Sequence, residues 1–298
     1  MNLPKIITIL GPTASGKTSL GVALAKRFNS EVVSADSRTV YKGMNIGTAK
    51  PSLGEMQGIT HHLIDVVEPD EEFTLSDFKK MAQDKINDIL KRGKLPIIVG
   101  GTGLYFWAIV DNLDMPAVAP DYKLRAELEK KSLEELVADL EKIDPTTAAK
   151  IDLKNPRRVL RALEVCLGSG GSFFEQRRKA KPLYDVLQIG LKWPREELVE
   201  RINRRVDKQI EDGLVEEVRG LAKKYSWSLS SMSGIGYKQI GYFLRGEMSL
   251  DEAIEEIKKD TRQYAKRQMT WFKRDGRIKW IEKSDYEKAE KILQDFVE

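Results

Sequence analysis

Cysteine is all but missing from this chain: Cys166 stands alone among 298 residues. A single thiol rules out an intrachain disulfide framework and any zinc site built on cysteine. Its apolar neighbours Val165 and Leu167 predict ordinary helix packing for it. Histidine is nearly as scarce, and His61 and His62 are the two present. Adjacent in sequence and without further ligands at metal spacing, they are expected to pack or to face water. No apolar run is long enough to span a membrane, and strand-like sequence begins by Lys5, which leaves no room for a signal peptide before it. A cytoplasmic protein without membrane contact is expected. A strong excess of one charge is absent too, since the formal net charge is +4. There is no internal repeat and no obvious self-complementary apolar patch, so a monomer is expected.

Against these absences stands one octet, Gly11-Pro12-Thr13-Ala14-Ser15-Gly16-Lys17-Thr18. It fits the phosphate-loop pattern G-x-x-x-x-G-K-[ST], whose chemistry requires a strand in front and a helix behind. Lys5 to Leu10 is a short apolar run suited to a buried parallel strand. Thr18 to Arg27 contains good helix formers, with Leu20, Ala23 and Leu24 on one side. The loop therefore closes on a helix N-terminus, where free amides and the macrodipole favour an anion. Lys17 is expected to bridge terminal phosphate oxygens and Thr18 to hold Mg²⁺.

Further along, Ser30 to Ala35 predicts a second strand, and Asp36 follows directly upon it. His62 to Val67 predicts a short third strand, and Leu95 to Gly100 a buried fourth ending in glycines. Leu75 to Arg92 carries apolar residues at helical spacing between them. Strand and helix in alternation mean a parallel sheet with right-handed crossovers, and ligands then belong at the carboxyl ends of the strands. Gly11, Asp36 and Gly100 all fall at that edge. The fold class is α/β: a P-loop NTPase-like parallel sheet flanked by helices, with a helical insertion. The core is expected over 1–113 and 183–298, and the insertion over 114–182. Within the insertion, Met115 to Pro120 reads as a linker, Lys123 to Asp144 as an amphipathic segment, Asn155 to Leu167 as a helix and Gly168 to Ser172 as a loop. Val186 to Leu191 predicts a returning strand. Helices over Arg195 to Leu221 and Asp251 to Phe272 follow, then a short strand at Ile278 to Ile281.

Basic residues cluster in three places: Lys258 to Arg277, Arg157-Arg158 with Arg161, and Arg177-Arg178-Lys179 with Lys181. Patches of this kind on a near-neutral chain suit an extended polyanion, and equally suit solvated helix faces. Trp271 and Phe272 lie beside basic residues, where base stacking and core packing are both open, with packing favoured. An enzyme that consumes nucleotide usually carries a strand-end acid for Mg²⁺. Here the corresponding strand ends Val99-Gly100-Gly101-Thr102, without one. Asp36 and Asp65 are the remaining strand-end acids. A small-molecule (nucleoside or nucleotide) kinase with Asp36 as base stays open. So does transfer of an allylic group from its diphosphate to the exocyclic amine of adenine. There a carboxylate takes the amine proton while lysine, amides, Mg²⁺ and an arginine stabilise the departing diphosphate. A non-catalytic RNA-binding module with a relic phosphate loop is a third class. Asp36 has a bland alternative as an Asx turn, and Thr102 one as a helix cap.

Several longer stretches narrow the choice. The octet, Ser34-Ala35-Asp36-Ser37, Val40 to Met44, Ile46 to Pro51, Gly100 to Tyr105, Pro156-Arg157-Arg158 and Arg262 to Gln268 together resemble the bacterial tRNA dimethylallyltransferase family, nearly end to end. The resemblance implies transfer of a dimethylallyl group from dimethylallyl diphosphate to N6 of the adenine 3′ of the anticodon. The tRNAs concerned read codons beginning with U, and the reaction depends on Mg²⁺ without nucleotide hydrolysis. It implies Asp36 as general base and Gly11 to Thr18 as the diphosphate cradle, with Arg205 near the diphosphate. Thr102 is implied as a tRNA-contacting, catalytic threonine. It further implies tRNA contacts from Asp36, Ser37, Arg38 and Thr39, and from Arg125, Pro156, Arg157, Arg158, Val159 and Leu160. The insertion would grip the anticodon stem-loop, with the target base flipped into the site. One departure is Thr39, where the family often carries Gln; a contact made by that Gln is here made otherwise or lost. Some eukaryotic relatives carry a C-terminal zinc finger, for which this chain has no cysteines.

Overall fold

The computed structural model describes residues 3–114, 118, 121–176, 180–283 and 285–298. The predicted linker at 115–120, apart from Val118, and the basic cluster at 177–179 lie outside the described residues. The chain divides into two compact units, Met1–Val110 with Leu183–Glu298, and Asp111–Pro182.

The first unit opens with β1 (Lys5–Leu10), α1 (Lys17–Arg27), β2 (Ser30–Ala35), α2 (Leu53–Met56), β3 (His61–His62), α3 (Leu75–Lys91), β4 (Leu95–Gly100) and α4 (Gly103–Val110). Capping starts α3 sharply: the Thr74 side chain accepts the Asp77 amide, and the Asp77 carboxylate accepts the Thr74 amide. The third strand is shorter than predicted. Leu63 and Asp65 take left-handed backbone, at φ 61° and 55°, and turn the chain out of the ladder. What remains of the expected pairing is an isolated bridge from Tyr41 to Val67.

The second unit holds α5 (Tyr122–Leu128), α6 (Leu133–Ile143), α7 (Pro145–Ala148), α8 (Pro156–Ser169) and α9 (Phe173–Gln176). The amphipathic segment predicted over 123–144 is two helices. Ser132 forms a capping box with Glu135 and begins α6 afresh. Leu128, Leu136, Leu140, Val159, Leu163 and Cys166 make this unit's own core. Helix α8 runs to Ser169, into the stretch predicted as loop, and ends on Gly170 in left-handed conformation.

The chain then returns as β5 (Asp185–Lys192), α10 (Arg195–Glu211), α11 (Leu214–Ala222), α12 (Tyr237–Leu244), α13 (Leu250–Phe272), β6 (Lys279–Glu282) and α14 (Tyr286–Val297). The predicted Arg195–Leu221 helix breaks at Gly213, whose φ of 98° starts α11. Among the described residues, six strands form one sheet, ordered β3-β2-β4-β1-β5-β6, and every pair is parallel. One face carries Ile6, Val33 and Ile98 against Phe78, Phe106 and Phe272; the other carries Ile7, Val32 and Ile97 against Leu20, Leu24 and Leu293. Burial on both faces explains why the strands read as continuous apolar runs.

Candidate active site

Register brings three strand ends to one edge. Leu10 pairs with Gly100, and Gly100 pairs with Ala35. Gly11, Gly101 and Asp36 are therefore each one residue beyond the same rung of three adjacent strands. Neighbouring strands lie about 4.8 Å apart, so the phosphate loop and Asp36 leave the sheet roughly 10 Å from each other. A cavity of about 150 Å³ lies at this edge, lined among others by Thr13 to Thr18, Asp36, Thr39, Gly101, Arg205, Tyr264 and Gln268.

The phosphate loop is shaped from within and without. Gly16 caps α1 at φ 89°, a conformation that favours glycine, while Ala14 holds φ 61°. Lys17 Nζ donates to the Pro12 carbonyl at 2.6 Å. Loss of solvent around the ammonium, aided by the Arg205 guanidinium and opposed by Asp36, pulls the Lys17 pKa down to about 7. Arg205 Nη1 donates to Thr13 Oγ1 at 3.2 Å, and burial lowers the arginine's own pKa. Outside the loop, Arg201 Nε donates to the Ala14 carbonyl at 2.8 Å and Trp193 Nε1 to the Ser15 carbonyl at 3.0 Å. The Arg201 guanidinium lies 4.1 Å from the Trp193 ring centroid. Two loop carbonyls are thereby occupied by donors from the β5–α10 region.

Asp36 does form the Asx turn: its Oδ1 accepts the Arg38 amide at 2.8 Å. The turn fixes the carboxylate at the cavity wall. Thr102 Oγ1 accepts the Ser37 amide at 3.0 Å instead of capping α4, whose first amides turn back to the Thr102 carbonyl. Arg38 Nη1 donates to the Ser230 carbonyl at 2.9 Å. Thr39 is 5% exposed, with its hydroxyl 3.0 Å from that of Ser34. Asp65 is bound away in an ion pair with Lys50, so Asp36 is the strand-end acid at the cavity.

Sequence reasoning assigned no roles to Arg201, Trp193, Tyr264 or Gln268. The enclosed Tyr264 hydroxyl bonds Thr102, and loss of solvent followed by the Asp36 charge pushes its pKa up. Its i, i+4 spacing to Gln268 on α13 was the available signal, since both side chains line the cavity. The basic run on that helix is partly self-neutralised: Lys258 pairs with Asp207 and Glu255, Lys259 with Glu256, and Arg262 donates to Asn203. Lys266, Arg267, Lys273 and Arg274 are exposed. His61 lines the cavity and bonds the Ile59 carbonyl through Nδ1, and His62 meets Glu31.

In the second unit, Pro156, Arg157 and Arg158 are exposed in the first turn of α8, which Asn155 caps. Val159 is buried in that unit's core and Leu160 packs against it. Arg125, also expected to contact tRNA, is engaged within the same unit. Its Nε and Nη2 donate to the fully buried Glu164 carboxylate at 2.8 and 3.2 Å.

Oxygen donors suited to Mg²⁺ are at hand. The Thr18 hydroxyl and the Asp36 and Glu55 carboxylates line the same cavity. Among the described residues no group of three His, Cys, Asp or Glu gathers as a protein cage. Few protein oxygens beside a phosphate site match the way Mg²⁺ binds, through one or two side chains, water and substrate phosphate.

Fold and site define a phosphate-loop α/β protein in which a carboxylate stands two strands from the cradle. The chain belongs to the IPP transferase family, which residues 39–275 match. A tRNA dimethylallyltransferase of Acetivibrio thermocellus is 47% identical over 98% of this chain and 96% of its own length. Another, from Pelotomaculum thermopropionicum, is 44% identical over 97% and 94%. Among solved structures, the full-length tRNA isopentenylpyrophosphate transferase from Bacillus halodurans matches with a TM-score of 0.75 and 41% identity, covering 98% of this chain and 95% of that one. A eukaryotic dimethylallyltransferase acting on tRNA matches with a TM-score of 0.85 and 31% identity, covering 99% and 79%.

Proposed function

We propose that this chain is a tRNA prenyltransferase. It transfers the dimethylallyl group from dimethylallyl diphosphate to N6 of the adenosine 3′ of the anticodon (position 37), in tRNAs reading codons that begin with U. The products are N6-isopentenyladenosine and diphosphate. The observation that carries the reading is the shared rung of Leu10, Gly100 and Ala35, which opens cradle and carboxylate onto one cavity. The relatives named above are transferases of this kind, so the kinase alternative is set aside.

In the reaction, the carbon–oxygen bond to diphosphate breaks and a carbon–nitrogen bond forms. The adenine amine is a poor nucleophile until its proton has an acceptor. Asp36 is assigned that proton: its Oδ1 is committed to Arg38, and Oδ2 is the oxygen offered to the amine. Lys17, Arg205 and the loop amides stabilise charge on the departing diphosphate in the cavity they line. Mg²⁺, held through Thr18, supplies further neutralisation of the diphosphate when bound. Thr102 and Ser37 hold the shelf beside Asp36 on which the flipped base rests.

For tRNA, we assign phosphate contacts to the exposed Arg157 and Arg158 at the α8 N-terminus, in the unit proposed to grip the anticodon stem-loop. Arg38 and Thr39 shape the Asp36 turn, and Arg125 supports its own unit. No described helix is long and apolar enough to cross a membrane. We place the enzyme in the cytoplasm beside its substrate, acting as a monomer. The test combines purified protein, Mg²⁺, labelled dimethylallyl diphosphate and unmodified tRNA, with nucleoside analysis of the product. N6-isopentenyladenosine is expected. Its absence with a validated acceptor tRNA, together with ATP consumption on nucleosides, would return the kinase reading.

A further inference from the structure

Gln268 joins two parts of the site that the reaction must hold at a set distance. Its Oε1 accepts the Thr13 amide at 2.8 Å, and its Nε2 donates to the Gly101 carbonyl at 2.9 Å. The pattern defines the amide orientation, because a flip would set nitrogen against a donor and oxygen against an acceptor. The side chain is 6% exposed and reaches from α13 to the exits of β1 and β4. Those strands are neighbours whose last rung is Leu10 with Gly100. Gln268 therefore continues the connection between them past the point where the ladder stops.

Two further features suit this arrangement. A Cβ on Gly101 would stand 2.3 Å from Gln268 Nε2, so glycine is what admits the amide. The Thr13 amide, in a loop otherwise arranged for phosphate, is satisfied by protein and is not left for a ligand. A buried glutamine is an expensive way merely to fill space, since its polar ends cost free energy unless both are paired. An aliphatic side chain would fill the same space without that requirement.

We propose that Gln268 is a positioning residue that sets the distance between the diphosphate cradle and the acceptor shelf at Thr102, and hence the reach from the allylic carbon to the adenine amine. The proposal rests on the prenyl-transfer reading. The physical reason is steep: a misplacement of about 1 Å between reacting groups costs on the order of 10²-fold in rate. Thr13 lies in the cradle. Gly101 immediately precedes Thr102, whose hydroxyl holds Ser37 beside Asp36. A slack connection at Gln268 leaves each half intact and lets them drift apart.

The test compares wild type, Gln268→Met and Gln268→Glu. Methionine keeps the volume and loses both hydrogen bonds. Glutamate is isosteric; it keeps the acceptor for Thr13 and loses the donor to Gly101. Transfer kinetics are measured with dimethylallyl diphosphate and unmodified tRNA, inorganic diphosphate binding by calorimetry, and folding by thermal unfolding. Gln268→Met is expected to lower kcat by roughly 30- to 100-fold. KM for both substrates and Kd for diphosphate should stay within about threefold of wild type, since ground-state binding is little touched. Gln268→Glu should fall between the two. A folded Gln268→Met with kcat within about twofold of wild type overturns the proposal. A kcat loss matched by an equal loss of diphosphate affinity also overturns it, by making Gln268 part of the cradle. Should Gln268→Met not fold, Gln268→Glu decides by kcat at saturating substrate, because its negative charge beside the cradle weakens diphosphate binding by itself. Wild-type protein that makes no prenylated tRNA defeats the underlying reading. Wild-type transfer with an indifferent Gln268 defeats only the positioning role.

Discussion

The Ser37 amide and the Thr102 hydroxyl meet at 3.0 Å, tying the exit of β2 to the exit of β4 one residue beyond Asp36. The backbone ladder ends at the Thr102 amide, which donates to the Ala35 carbonyl at 3.2 Å, so a side chain supplies the bond to Ser37. Thr102→Val, nearly equal in shape, removes the acceptor and strands the Ser37 amide, a loss of about 1–3 kcal/mol where the group is buried. Transfer should fall about tenfold or more, while Thr102→Ser should retain most of it. Steady-state rates with saturating tRNA and dimethylallyl diphosphate check this. Equal rates for valine and serine variants would remove the shelf from the mechanism.

Asp36 has two separable duties, and one substitution divides them. Asp36→Asn keeps an oxygen to accept the Arg38 amide, so the Asx turn survives. It cannot take a proton from the amine. Loss of a general base lowers kcat by about 10²- to 10⁴-fold. Inorganic diphosphate should bind as in wild type, because the cradle is untouched. Single-turnover transfer and calorimetry together make the measurement. Full turnover by Asp36→Asn would exclude the carboxylate as base.

Lys17 makes diphosphate binding sensitive to pH near neutrality. Its folded pKa is about 7, lowered by lost solvent and by Arg205. An arriving diphosphate attracts the ammonium and restores the proton, so binding takes up a proton above pH 7. Affinity should weaken as pH rises from 7 to 9 by more than diphosphate's own ionisation accounts for. Lys17→Met should show only the ligand's ionisation. Folding runs the other way. The unfolded chain holds more protons on Lys17 between pH 7 and the ordinary lysine value of 10.5, so this group's contribution to stability rises with pH across that window. Calorimetry in buffers of different ionisation enthalpy, on both proteins, reads the proton uptake directly. A wild type and a Lys17→Met with the same pH slope would contradict it.

How much of this was visible in the sequence depends on how far apart the partners are. The cradle and its flanking strand and helix are encoded within Lys5 to Arg27, where spacing alone carries the chemistry. Asp36 was found by its place at a strand end. Thr13 and Gln268 are 255 positions apart, and no period or local motif joins them. Arg201 and Trp193 were likewise invisible as loop partners, because donation to a carbonyl leaves no mark on residue type at the accepting end. The end of β3 was missed because Leu63 and Asp65 adopt left-handed backbone, which neither residue type announces. Val159 was expected to contact tRNA; its place on the apolar stripe of α8 with Leu163 and Cys166 buries it in that unit's core.

Arg125 supplies the clearest case of a basic residue whose partner is inside the protein. Glu164 is fully buried and accepts from Arg125, Arg161 and the Asp121 amide, the last at 2.7 Å. Burial works against the carboxylate's charge, but the Arg161 and Arg125 guanidiniums and the Asp121 amide together hold its pKa below the usual range. Breaking a lone buried pair costs on the order of 3–5 kcal/mol; here Arg161 and the Asp121 amide remain on the carboxylate, so the loss of Arg125 costs less than that. Arg125→Ala should therefore lower the unfolding temperature of the 111–182 unit. Arg157→Ala, exposed, should leave it unchanged and weaken tRNA binding with a reduced salt slope. The pH dependence follows from the same site. A carboxylate with a depressed folded pKa stabilises fully above its unfolded value, ordinarily 4.5 for glutamate, and that contribution is lost as pH falls through the folded pKa. Acid should thus destabilise this unit in wild type more than in Glu164→Gln, which has no such proton to take up. Hydrogen exchange of α5 and α8 amides between pH 3 and 7 measures both effects. Arg125→Ala with wild-type protection and lost tRNA affinity would instead make Arg125 a contact to tRNA.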